Sequence, residues 1–276
     1  MTEASALVQS LIYTAQRAGA AIMALYATDF AVHEKADTSP VTAADQAAEK
    51  IILADLAKIA PGIPVVAEEA VAAGQVPAIL GNTPEDRFFL VDPLDGTREF
   101  ISHRDEFTVN IALIEAGRPV VGVVFAPARH ELYWGDVGAR RACHIDADPD
   151  GTMPSLGTAI QVRTPPAEGL TAVASRSHRT PETDAFLANY PVREFRSIGS
   201  SLKFCLVASG AADIYPRVGT TMEWDTAAGH AVLAAAGGTV TGLEGEPFVY
   251  GKPGFRNGNF VAWGKRQDGA GACIPA

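Results

Sequence analysis

Phe88-Phe89-Leu90-Val91-Asp92-Pro93-Leu94-Asp95-Gly96-Thr97 is the stretch on which the reading of this chain turns. Its first four residues are bulky and apolar, as a buried strand requires. It then runs into two carboxylates three positions apart. Pro93 fixes its own φ and Gly96 frees the backbone just past Asp95, so a turn is expected between them. Two anionic groups held this close repel each other unless a cation lies between them, and hard divalent ions take oxygen ligands of this kind. An Asp-rich turn, with Asp95 capping the next helix, accounts for the same residues. The stretch alone does not separate the two.

Upstream, residues 63–67 form a short apolar strand that delivers Glu68 and Glu69 at its end. Ligands of open α/β sheets gather where strand ends converge, although an acidic pair also suits a solvated loop. Residues 5–27 carry a helical stripe at Leu7, Leu11, Ala15, Ala18, Ile22 and Tyr26. A second helix is expected over 42–59 and is ended by Pro61-Gly62. At its start, Thr42-Ala43-Ala44-Asp45 reads as a capping box with Asp in the fourth position. Asp45 could equally polarise an active-site hydroxyl, and spacing leaves both open. Residues 70–86 read as a surface loop, placed to act as a lid.

Downstream, 107–145 alternates β-rich runs with Gly and Pro turns, which predicts an antiparallel meander. A Gly/Pro/Asp-rich junction at 146–157 follows. Strands at 171–174, 193–198 and 213–215 then alternate with helices at 182–189, 201–208 and 225–236, the pattern of a layered α/β unit. Asp225 opens a helix of small residues in Glu223-Trp224-Asp225-Thr226-Ala227-Ala228-Gly229, and in isolation it reads as an N-cap. The expected division is 1–150, 151–264 and a tail at 265–276.

The bulk properties narrow the function. The chain has 276 residues, 47% of them hydrophobic, enough for a large core without disulfide staples. Cys143, Cys205 and Cys273 are odd in number and far apart, which suits reduced thiols. No apolar run is long enough for a membrane span, and no secretory signal is read at the N-terminus. A cytoplasmic location, or a peripheral one at the inner membrane, is expected. The net charge of −10 argues against a nucleic-acid partner. A small anionic substrate stays open, because bound cations reverse the local field.

In this order, Glu68-Glu69, Asp92-Pro93-Leu94-Asp95-Gly96-Thr97 and Trp224-Asp225-Thr226-Ala227-Ala228-Gly229 resemble the inositol monophosphatase superfamily of lithium-sensitive, metal-dependent phosphatases. The likeness runs from the first helix to about Gly258. Ser39-Pro40-Val41-Thr42-Ala43-Ala44-Asp45, Ser175-Arg176-Ser177-His178 and Ile198-Gly199-Ser200-Ser201-Leu202-Lys203 resemble its bisphosphate-nucleotidase branch. The resemblance implies an α/β (α+β) fold, a layered αβαβα sandwich of the inositol monophosphatase/sugar phosphatase type, with the site between two halves. It implies two or three magnesium ions, held by Glu68, Asp92, the Leu94 carbonyl and Asp95, with Asp225 at the second metal. Gly96 and Thr97 would meet the phosphate. Glu68 and the Thr97–Asp45 pair would orient and deprotonate the attacking water. Ser175, His178, Gly199 and Lys203 match positions that hold the rest of a nucleotide.

Arg217, in Ile214-Tyr215-Pro216-Arg217, stands where inositol-specific relatives carry a Glu, and an arginine suits a second phosphate. Each of these has a plainer reading. Arg217 could pair with Asp213 or Glu223, Lys203 could be an exposed helix residue, and His178 could start a turn. Trp224, Asn110 and Cys205 read as core. The expected activity is removal of the 3'-phosphate of adenosine 3',5'-bisphosphate, and of its sulfonated precursor 3'-phosphoadenosine 5'-phosphosulfate, in sulfur assimilation. Inositol monophosphatase or fructose-1,6-bisphosphatase activity is the alternative. The partner is a small phosphorylated nucleotide, and the protein is expected as a monomer or homodimer.

Overall fold

A computed structural model describes residues 3–28, 32–34, 40–77, 86–147, 156–174 and 180–265. Helix α1 (Glu3–Tyr26) leads through a small antiparallel pair, β1 (Val32–Glu34) and β2 (Pro40–Thr42), into α2 (Ala43–Ile59). Strand β3 (Val65–Ala67) runs into α3 (Glu68–Ala72), so the loop expected from residue 70 begins as a helical turn. Residues 78–85 of that loop lie outside the described residues, and the lid reading with them. Next come β4 (Arg87–Asp95), the short α4 (Thr97–Ile101), β5 (Thr108–Glu115), β6 (Arg118–Ala126), β7 (Glu131–Asp136), β8 (Arg141–Asp146) and β9 (Thr158–Ile160). Strands β3 to β9 form one seven-stranded sheet in sequence order, with β3 parallel to β4 and every later pairing antiparallel.

The chain then builds a second sheet. Strand β10 (Leu170–Ala174), α5 (Pro181–Leu187), β11 (Val192–Ser197), α6 (Leu202–Ala208) and β12 (Ile214–Arg217) alternate as expected. Strand β13 (Thr221–Met222) precedes α7 (Ala227–Ala235), and β14 (Thr239–Thr241), β15 (Arg256–Asn257) and β16 (Phe260–Trp263) follow. The sheet order is β11-β10-β12-β16-β14.

Burial shows the layering. Leu11, Ala15, Ala18 and Ile22 of α1 and Ile52 and Leu56 of α2 pack on Phe89, Val91, Ile111 and Val123. The opposite face of the same sheet, with Phe88, Leu90, Ala112 and Val124, packs on Phe204 and Val207 of α6 and Ala228 and Val232 of α7. Those helices also cover Tyr215 and Phe260 of the second sheet, whose outer face packs on Leu187 of α5. The layers are therefore α, β, α, β, α.

Helix α7 lies against the first sheet where two glycines face each other, Gly122 opposite Gly135. A Cβ on Gly122 would lie 2.5 Å from the Ala228 carbonyl oxygen, and one on Gly135 would lie 2.7 Å from Val232 Cα. Both clashes are with backbone, so neither relaxes by a side-chain rotation. Gly122→Ala is expected to cost about 1–3 kcal/mol of overpacking, read in urea melts. It should also lower turnover, because α7 follows Asp225 directly.

Inside α7, His230 is buried and its Nδ1 lies 3.0 Å from Tyr250 Oη, which in turn donates to Thr226 Oγ1. Burial pushes the imidazole down from 6.5 to about 3. The unfolded chain therefore takes up this proton first. The contribution of His230 to stability is complete above pH 6.5 and is lost as the pH falls towards 3. Urea melts between neutrality and pH 4 should show His230→Gln losing less stability than wild type, by up to about 1.4 kcal/mol per pH unit.

Candidate active site

The two aspartates of the opening stretch do not flank a turn. Strand β4 continues through both, with Asp92 opposite Asn110 and Asp95 opposite Thr108. Three steps on β4 match two on β5, so Pro93-Leu94 carries one extra residue, a β-bulge. Side chains alternate faces along a strand, and positions three apart would normally point opposite ways. The bulge resets that phase. Asp92 and Asp95 share the face turned toward α6 and α7, while Leu94 packs with Val91 on the α1 side. Pro93, which has no N–H to give a ladder, is suited to the bulge, and Leu94 N donates to Asp92 Oδ1 at 3.0 Å.

Glu68 reaches the same place by another route. Strand β3 lies beside β4, and Glu68 is the first residue of the helix after it. Glu69 N donates to Glu49 Oε2 of α2 at 2.9 Å, which anchors that helix start. From the other half, Asp225 precedes α7. Its Oδ2 accepts from Met222 N at 2.8 Å, and the cap position belongs to Thr226, so the N-cap reading of Asp225 does not hold.

Asp45 makes both of the contacts that spacing left open. One oxygen, Oδ2, closes the capping box by accepting from Thr42 N and Thr42 Oγ1, each at 2.7 Å. The other, Oδ1, accepts from Thr97 Oγ1 at 3.3 Å. The Thr97 hydroxyl lies equally 3.3 Å from the Leu94 carbonyl oxygen.

Glu68, Asp95, Gly96, Thr97, Gly199, Lys203, Arg217 and Asp225 line one cavity of about 300 Å³. Its electrostatics are tense. Asp225 is pushed well above the usual carboxylate range, first by burial and then by Asp95 and Glu68. Asp95 is also raised by burial, against the opposing pull of Lys203 and a hydrogen bond from Ser201. Burial pushes Lys203 down to about 8, with Asp95 acting in the other direction.

A comparison with known proteins matches residues 4–272 to the inositol monophosphatase family. The chain belongs to the inositol monophosphatase family. It is 44% identical over 250 residues to the 3'(2'),5'-bisphosphate nucleotidase CysQ of Escherichia coli O157:H7, covering 88% of this chain and 95% of that protein. The CysQ of Salmonella typhimurium is 42% identical over 258 residues, covering 91% and 98%. Among solved structures, CysQ from Bacteroides thetaiotaomicron shares the fold with a TM-score of 0.76 at 39% identity, covering 94% of this chain and 97% of that one.

In this member of the inositol monophosphatase family, Asp92 and Leu94 lie behind the cavity wall, both almost fully buried, and Asp45 is buried behind Thr97. Ser175 and His178 lie outside the described residues. Lys203 is 6% exposed, which removes the exposed-helix reading; its Nζ donates to the Ser200 carbonyl and lies 5.4 Å from the Tyr215 ring centre. The plainer reading of Arg217 fails because its acidic neighbours are taken. Asp213 holds Arg163 at 2.7 Å and Glu223 holds Lys252 at 2.6 Å. Arg217 donates one long bond, 3.4 Å, to the Thr220 carbonyl, and its buried Nε has no partner among the described residues.

Ser200, Tyr215 and Thr220 also line the cavity, as do Arg98 and Glu99, which replace the residues usual in inositol-specific relatives. Only nearness to recognised motifs could have flagged the first three. Trp224 and Cys205 are core, as expected. Asn110 is buried too, but its Nδ2 donates to Ser201 Oγ at 2.9 Å.

The donors fit a hard divalent cation. They are oxygens throughout, and the mutual repulsion of Asp95, Asp225 and Glu68 is what such a charge would relieve. Among the described residues no three His, Cys, Asp or Glu side chains are drawn close enough to hold an ion as they stand. Asp92, Asp95 and Asp225 each give one carboxylate oxygen to a protein donor, which fixes the carboxylate and leaves its other oxygen for a cation.

Proposed function

We propose that this chain is a 3'(2'),5'-bisphosphate nucleotidase, a magnesium-dependent phosphomonoesterase that removes the 3'-phosphate of adenosine 3',5'-bisphosphate. The observation that carries this is Arg217. Its guanidinium lines the same cavity as the carboxylates, with a buried Nε that has no partner among the described residues, while Asp213 and Glu223 are held by Arg163 and Lys252. A cation so placed suits a second phosphate on the substrate and would not accept hydrogen bonds from sugar hydroxyls. The identity to the CysQ proteins supports the same reading.

Glu68, Asp92, the Leu94 carbonyl, Asp95 and Asp225 would hold two or three magnesium ions, which supply the positive charge that acidifies water and offsets charge on the phosphoryl oxygens. Thr97 gives its proton toward Asp45, so its oxygen is free to accept a hydrogen bond from the attacking water. Glu68, on the cavity wall, takes the proton. Gly96 lets the backbone approach the phosphate at φ +93°, where a Cβ would strain the turn. Lys203 and Arg217 bind the remaining anionic group, and Gly199, Ser175 and His178 bind the rest of the nucleotide. The sulfonated analogue, 3'-phosphoadenosine 5'-phosphosulfate, presents the same 3'-phosphate and is a second substrate. We place the reaction in the cytoplasm, in sulfur assimilation; buried free thiols at Cys143 and Cys205 are in keeping with that.

Phosphorus NMR of the products tests the assignment. Adenosine 5'-monophosphate and inorganic phosphate are expected. Adenosine 3'-monophosphate, or no turnover with magnesium present, would reject it.

A further inference from the structure

We infer that Ser201 is a positioning residue that couples the carboxylates of the two halves, and that divalent-ion affinity depends on its hydroxyl. The inference rests on the reading of Asp95 and Asp225 as metal ligands.

Two consecutive serines, both buried, stand before α6. Ser200 is held at φ +51°, which only over-determined surroundings sustain in a residue with a Cβ. Its Oγ lies 2.8 Å from the Asp95 carbonyl oxygen and 2.6 Å from that of Glu106. The Ser201 Oγ lies 3.1 Å from Asp95 Oδ2 and 2.8 Å from the Asp225 carbonyl oxygen. Asp95 is thus held at both ends, main chain and carboxylate, by serines of the other half. A Cβ at residue 96 would fall 2.4 Å from Ser200 Oγ, so Gly96 is required for the grip as well as for its own φ.

The chemistry of a hydroxyl makes this a coupling. Ser201 has one proton and two acceptors, the Asp95 carboxylate and the Asp225 main chain. Asn110 Nδ2 occupies one of the oxygen's lone pairs and fixes its rotor, although Asn110 Oδ1 is itself buried with no partner among the described residues. The orientation of the Asp95 carboxylate relative to the Asp225 main chain therefore passes through this single oxygen.

The test is Mn2+ alone, titrated into the full chain without substrate and followed by the EPR signal of the free ion. Ser201→Ala should weaken binding about tenfold, the loss expected of one hydrogen bond to a charged group. Asn110→Ala should weaken it about threefold, since the rotor is freed while the hydroxyl stays. If Ser201→Ala does not fold, Asn110→Ala alone decides. A lower melting temperature with wild-type Mn2+ affinity would show a structural role only and overturn the inference. Asp95→Asn separates the two levels. If it loses Mn2+ binding while both Ser201→Ala and Asn110→Ala keep it, the coupling alone is wrong. If Asp95→Asn binds as wild type, the ligand reading fails and the coupling with it.

Discussion

Asp95→Asn is expected to lose at least about a thousandfold in turnover while folding as well as wild type, or better. The two halves of that result come from one cause. Burial opposes the ionisation of Asp95, Glu99 and Glu68 add to that, and the Asp95 charge in turn opposes the ionisation of Asp225. Asparagine keeps the size and the acceptor oxygen that Ser201 bonds, and removes the charge. Repulsion inside the cleft falls, so the melting temperature should hold or rise, as is common when a strained site is relieved. Activity falls because a neutral amide is a poor ligand for a hard cation. Loss of electrostatic stabilisation of this kind is worth roughly 10²–10³ in rate for a single donor, and more for a ligand to the metal itself. Thermal melts and steady-state phosphate release on one preparation check both halves. Near-normal turnover would remove Asp95 from the site.

Arg217→Ala should reduce kcat/KM for adenosine 3',5'-bisphosphate by roughly 30–100-fold, the worth of a charge-assisted phosphate contact. It should leave a substrate with one phosphate, such as adenosine 3'-monophosphate, within about threefold. The asymmetry is the informative part. Arg217 makes one long bond to the Thr220 carbonyl and no ion pair with Asp213 or Glu223, so little of the fold depends on it. Equal losses on both substrates would mean that Arg217 contacts the reacting phosphate or the protein instead.

What the sequence made legible follows from how local each signal is. Helices α1 and α2 were readable because a 3.6-residue stripe repeats over many turns, and the meander from β5 to β8 because its turns interrupt bulky runs. The bulge at Pro93-Leu94 was read as a turn, since the same residues serve both and only the pairing with β5 tells them apart. Strands β9, β14 and β16 were not anticipated. They are three or four residues long and are fixed by partners far away in sequence. Asp225 looked like a helix cap because spacing cannot see a 2.8 Å bond from Met222 N to its carboxylate. The Thr97–Asp45 contact spans 52 positions and was reachable only through the family resemblance. Ser200 and Ser201 belong to the Ile198–Lys203 motif but suggest no role of their own, because a serine pair before a helix is an ordinary way to start one. Their partners, Asp95, Glu106, Asn110 and Asp225, are drawn from both halves of the chain.

The most direct measurement is phosphate release with magnesium from adenosine 3',5'-bisphosphate, inositol 1-phosphate and fructose 1,6-bisphosphate, assayed side by side on the wild-type chain. kcat/KM for the nucleotide should lie at least about a hundredfold above the other two, as one desolvated second-phosphate contact with its arginine would give, and chelation of the metal should abolish release from all three. Equal or faster turnover of inositol 1-phosphate, or release that persists without a divalent cation, would contradict the proposed function.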